Sequence, residues 1–149
     1  MKIMKKESVH KEITIKAQPE KIFSFLTNPK NIPLILPGLI KNTKIPRLPI
    51  KKGARFNYKY QMAGFVFNGE VVIDKVEKPK IYDFTSKGGL TSTWKQRIQG
   101  NKNNSKFSLE IIYEMPESVI SKLKANVLKS INEKEAERYL TNLKAVMEI

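Results

Sequence analysis

The apolar residues of this chain change period once, and that change constrains the fold more than any other feature. Up to Glu114 they fall at every second position, in several successive runs. From Glu117 to Met147 they fall three and four apart: Ile120, Leu123, Val127, Ile131, then Ala136, Leu140, Leu143 and Met147. Alternation belongs to strands with one buried face, and the three-four spacing to a helix with one buried stripe. The second pattern predicts one helix of about 30 residues, ~45 Å long, opening at Pro116-Glu117. A stripe of that length needs a large apolar partner. The only candidate is the inner face of the sheet that the alternating runs would form.

The runs are readable one by one. Val9 to Ala17 places Ile13, Ile15 and Ala17 on one side and His10, Glu12, Thr14 and Lys16 on the other. Gln18-Pro19-Glu20 opens a short helix, with proline at its first position and an acid in its first turn. Ile22, Phe23, Phe25 and Leu26 supply its buried face. Asn28-Pro29 ends it, because a residue before proline avoids the helical region. A second short helix fits Lys30 to Leu36, stopped by Pro37-Gly38. Strands are then predicted over Leu39–Ile45, Ala54–Met62, Phe65–Val76, Lys80–Lys87, Thr91–Gln99 and Lys106–Glu114. Ala63-Gly64, Lys78-Pro79, Gly88-Gly89 and Gly100–Asn104 are the turns between them; Gly88-Gly89 fits a hairpin needing positive φ. The order is β-α-α-β-β-β-β-β-β-α, an α+β domain with a one-sided antiparallel sheet of about seven strands covered by a helix. No repeat or linker divides residues 1–149, so a single domain is expected.

Several function classes drop out on composition. The chain has no cysteine and one histidine, which excludes disulfides, thiolate metal sites and cysteine nucleophiles. No metal site and no cofactor are expected; a structural zinc would lack ligands, and neither a Walker loop nor a dinucleotide fingerprint is present. The N-terminal residues have no apolar core of the kind a signal peptide carries, and no apolar run reaches the roughly 18 residues of a membrane span. A cytoplasmic location is the expectation. Net charge is +14, a field that attracts nucleic acid or anionic membrane. The basic residues are dispersed, though, without a run of five or six, which fits a solvated surface. They are densest from Lys41 to Arg55, where an anionic headgroup, membrane surface or partner protein would find Lys44, Arg47, Lys51 and Lys52. Nucleic acid is not expected as a partner, since the long helix would cover the aromatic face of the sheet.

The order of elements, with its long final helix, resembles the SRPBCC superfamily of START-like domains, which includes the birch-pollen allergen and polyketide cyclase/dehydratase-type proteins. The stretch from Ile13 to Pro29 resembles that family's first strand and helix. Gly53-Ala-Arg-Phe56, Gly64 to Gly69 and Val76-Glu-Lys-Pro79 resemble its second to fourth strands and a turn. The stretch from Leu140 to Glu148 resembles its helix ending. The resemblance implies the helix-grip fold, a curved sheet wrapped around the C-terminal helix, with an apolar ligand held between them. Lipids, sterols, polyketides, quinones and plant hormones are such ligands, and a few members catalyse cyclisation or dehydration. These motifs are structural, so they speak for the fold before the function.

The inward faces of the strands define the expected cavity: Phe56, Tyr58, Tyr60, Phe67, Phe84, Trp94, Gln96, Phe107 and Tyr113, with Leu123 and Val127 from the helix. The same pattern also fits a solid core. The tyrosines and the tryptophan favour a pocket, because a sealed core would have to satisfy their polar tips. No catalytic residue is identified. His10 sits on a polar face, and Glu70, Asp74, Asp83, Glu110 and Glu114 all alternate outward, where solvent is expected to reach them. Binding or transport of a hydrophobic small molecule or lipid is therefore the leading expectation. A cyclase/dehydratase-type enzyme acting on a polyketide-like or aromatic substrate, and a module that interacts through its basic surface, are the alternatives.

Overall fold

In the computed structural model, which describes residues 4–89 and 91–149, the chain opens with β1 (Met4–Ile15) and α1 (Pro19–Leu26). A 3₁₀ helix (Pro29–Leu34) leads into β2 (Leu39–Thr43). Five more strands follow: β3 (Arg55–Met62), β4 (Phe65–Glu77), β5 (Ile81–Gly88), β6 (Thr91–Gly100) and β7 (Ser105–Pro116). Two helices close the chain, α2 (Glu117–Lys122) and α3 (Ala125–Met147). All seven strands form one antiparallel sheet in the order β1-β7-β6-β5-β4-β3-β2. This is the helix-grip architecture.

Local chemistry accounts for the joints. Pro19 and Glu20 start α1, and Ile22, Phe23 and Leu26 are its buried face. The Asn28 side chain accepts from the Lys30 amide and caps the 3₁₀ helix. Ala63 and Gly64, between the paired Met62 and Phe65, both have positive φ, the geometry of a type I′ hairpin. Gly88 likewise lies at φ 123°. The ladder between β4 and β5 shifts register between Ile73 and Lys75, a bulge that moves the inward face of β4 from Ile73 to Val76.

The single long helix expected over 117–147 is two helices. Leu123 (φ −120°, ψ 131°) and Lys124 (φ −63°, ψ 146°) are extended and break it. Val119 and Leu128 are both buried, 3% and 2% exposed. Nine residues apart, they would point about 180° from each other on a straight helix. Only a break lets both face the protein interior. Val127 is consequently 42% exposed, and the buried stripe of α3 is Leu128, Asn132, Ala136, Tyr139, Leu140, Leu143 and Met147.

The C-terminal half of α3 is tied to β1. Lys144 Nζ donates to the Thr14 carbonyl at 2.8 Å, and the Glu148 carboxylate accepts the Lys16 amide at 2.8 Å. Lys144 and Glu148 also pair with each other at 2.6 Å. Lys21 adds a bond to the Met147 carbonyl, the terminal carbonyl of the helix.

Candidate ligand cavity

The interior is filled unevenly. Beneath β6, β7 and β1, α3 supplies Ala136, Tyr139, Leu140 and Leu143, all buried. The Tyr139 ring packs edge-on against Trp94 at 5.2 Å and lies 6.4 Å from Phe107. Its hydroxyl donates to Gln96 Oε1 at 2.6 Å, while Gln96 Nε2 donates to the Tyr82 carbonyl at 3.2 Å. Gln96 and Phe107, both expected in the cavity wall, thus belong to the solid part of the core.

On the concave face toward β2, β3, β4 and β5 a cavity remains. Phe56, Tyr58 and Tyr60 of β3, Phe84 of β5, Trp94 of β6 and Tyr113 of β7 line it together, six of the eleven residues expected there. Phe67 is buried elsewhere, stacked on Phe65 at 6.2 Å. Leu123 sits in the break between α2 and α3, and Val127 faces outward, so neither reaches the wall. The helical contribution comes instead from the 3₁₀ segment, through Ile32 and Leu36, with Leu39 and Asn42 of β2 behind them. Val71, Tyr82, Ser86 and Ser92 complete the lining.

The reason for the hollow is visible at its floor. Ser86 and Ser92 are partners across the β5–β6 ladder, and their hydroxyls bond each other at 2.6 Å. Trp94 Nε1 donates to Ser92 Oγ at 3.0 Å. Two small residues at adjacent inward positions leave room that rings on neighbouring strands do not fill. The cavity volume is ≈ 80 Å³, several times the ~10–15 Å³ needed for one water. With its mouth and the solvent over it, the concave region amounts to ≈ 690 Å³. Ile32, Asn42, Tyr60 and Phe84 are only partly buried, which places the mouth beside the 3₁₀ segment and β2.

The polar groups of the wall are neutral. Burial raises the Tyr82 hydroxyl well above the usual phenol range. Tyr113 is raised by burial and by the negative charge of Glu135, and Tyr60 by burial, by Glu135 and by Tyr113. These phenols stay protonated and serve as hydrogen-bond donors. Among the described residues, none of the lining side chains is Lys, Arg, His, Asp or Glu. Glu135, half-buried on α3, stands just behind the wall. Its Oε1 accepts the Gly38 amide at 2.9 Å, and its carboxylate is within hydrogen-bonding reach of Tyr60. Helical periodicity alone does not single it out, because a carboxylate beside the apolar stripe reads as a solvated side chain.

Among the described residues, no other titratable group apart from the phenols lines the cavity. His10 is exposed. Glu70 pairs with Arg55 at 2.7 Å, and Asp74 accepts the Thr85 hydroxyl at 2.6 Å. Asp83 departs from the expectation of a solvated carboxylate. It is only 8% exposed because the Arg97 guanidinium grips both its oxygens and the Gln96 amide donates to it. No group of three or more potential metal ligands occurs among the described residues, and none of their helices is long and apolar enough to cross a membrane.

Residues 6–148 match the family described as polyketide cyclase / dehydrase and lipid transport, and the chain belongs to that family, within the SRPBCC/START-like superfamily. No curated protein sequence matches. Solved structures share the fold at low identity. The protein TTHA0849 from Thermus thermophilus is 14% identical with a TM-score of 0.79, covering 93% of this chain and 95% of its own. The ZhuI aromatase/cyclase from Streptomyces sp. R1128 is 12% identical with a TM-score of 0.75, covering 97% and 94%. The major latex-like protein 151 from Panax ginseng is 14% identical with a TM-score of 0.68, covering 95% and 97%.

Proposed function

We propose that this member of the polyketide cyclase / dehydrase and lipid transport family binds a hydrophobic, ring-containing small molecule in the cavity beneath β2–β6 and carries it unchanged. The observation that supports this reading is a cavity with a mouth, walled by aromatic and aliphatic side chains and carrying only neutral polar groups. Such a wall rewards burial of apolar surface at ~25 cal/mol per Å², and a few hydrogen-bonding groups orient what is bound. The family description also carries a cyclase or dehydrase. That chemistry needs an acid or base placed against the substrate, and the lining phenols, held protonated, donate hydrogen bonds but do not abstract protons.

The test uses Trp94, the sole tryptophan of the chain and part of the cavity wall. Titration with the neutral ring compound N-phenyl-1-naphthylamine is expected to change Trp94 emission saturably at one equivalent. Val71→Phe, which places a ring in the same space, is expected to abolish the change at a stability cost of about 1–3 kcal/mol. A titration without a saturable change, or one that Val71→Phe leaves intact, overturns the proposal.

A further inference from the structure

The chain carries 28 Lys and Arg residues, yet none of them lines the cavity among the described residues. A formal charge held against the wall is negative: Glu135, fixed by the Gly38 amide at 2.9 Å and acting on Tyr60, itself a lining residue. The molecule is therefore strongly positive outside and, at its cavity, neutral with a carboxylate behind one wall. Charge on a buried ligand is costly unless an opposite charge meets it. A carboxylate, sulfonate or phosphate entering this cavity would meet only neutral walls and a like charge. Long-range attraction from the surface lysines is weakened by salt over about 8–10 Å, while the Glu135 contact, partly shielded from solvent, is screened much less.

From this juxtaposition, and resting on the binding reading above, we infer that the cavity selects uncharged ligands and rejects anionic ones of the same shape, with Glu135 as the residue that sets the selection. Fatty acids and other amphiphiles that would bury an anionic head are excluded as cargo by this rule. Neutral ring compounds bearing hydroxyl or carbonyl groups are admitted, because protonated phenols donate to their oxygens. The exterior charge does not contradict this; it concentrates anions at the surface without giving them a counter-ion inside.

Two probes with one ring system separate the possibilities. N-phenyl-1-naphthylamine is neutral, and 8-anilinonaphthalene-1-sulfonate adds one negative charge. At physiological salt, the sulfonate is expected to displace the neutral probe from the protein only at concentrations higher by about tenfold or more, a lower bound on the cost of bringing one unpaired charge into an apolar site. Glu135→Gln keeps an acceptor for the Gly38 amide. It is expected to narrow the gap between the two probes by tightening the sulfonate severalfold. Equal or tighter displacement by the sulfonate in the wild-type protein overturns the inference while leaving the binding reading intact. An unchanged ratio in a folded Glu135→Gln removes Glu135 from the role. Should that variant not fold, the wild-type ratio alone decides the charge rule. Failure of both probes to bind takes down the binding reading, and this inference with it.

Discussion

Single side chains in this protein divide between holding the core and facing the cavity, and Gln96 shows the difference. It is fully buried, accepts from Tyr139 and donates to the Tyr82 carbonyl. Gln96→Leu would leave the Tyr139 hydroxyl buried without its acceptor, a loss of about 1–3 kcal/mol. Urea unfolding is expected to register that loss while the cavity's affinity for a neutral ring compound stays unchanged. Alternation puts Gln96 on the correct face of the sheet but assigns it the wrong neighbour. It tells which side of a sheet a residue occupies, but not what stands opposite. Tyr139 is not legible as that neighbour, because the helical stripe is carried by aliphatic positions. Ser86 and Ser92 escape for a related reason: the cavity exists where bulk is missing, and small polar residues give no apolar signal. The Gly88-Gly89 turn holds the clue, since it sets the register that brings the two serines together.

At the scale of elements, the strands follow their alternation closely, because each has one buried face and a one-residue slip would expose it. The break in the C-terminal helix is hidden. Leu123 and Lys124 are ordinary helix formers, and the spacing from Ile120 to Ile131 runs through them without interruption. What breaks the helix is the burial of both Val119 and Leu128, a demand of the whole interior on a local stretch. The extended dihedrals at Lys124 are ones that proline adopts, and Leu123 before it is extended as the residue before a proline must be. Lys124→Pro is accordingly expected to keep the native fold and to raise stability by about 0.4–1 kcal/mol through the unfolded chain. Placed within an unbroken helix, the same proline would cost about 3 kcal/mol. Equilibrium denaturation distinguishes a small gain from a large loss.

For the whole molecule, the acid limb of stability depends on carboxylates that tie β1 to its neighbours. Glu12 is held below its usual 4.5 by its hydrogen bonds to Lys106 and Ser108, and Glu148 by its bonds to Lys144 and the Lys16 amide. Groups with depressed folded-state values contribute stability that is fully present above the unfolded value and is lost as pH falls through the folded one. The thermal midpoint is expected to lose these contributions only below pH 4.5, and Glu148→Gln is expected to shrink that acid loss. Both groups are exposed, so the effect is small. The ties of α3 have a second consequence. β1 is an outermost strand of an open sheet, and such a strand offers free amides and carbonyls to any other chain that can pair with it. Lys144 on the Thr14 carbonyl occupies one of those groups, and Glu148 on the Lys16 amide holds the residue just past the strand, both with side chains of the same molecule. The last helix thereby acts as a selvedge at this end of β1, a finished border where another strand would find the Thr14 carbonyl already taken.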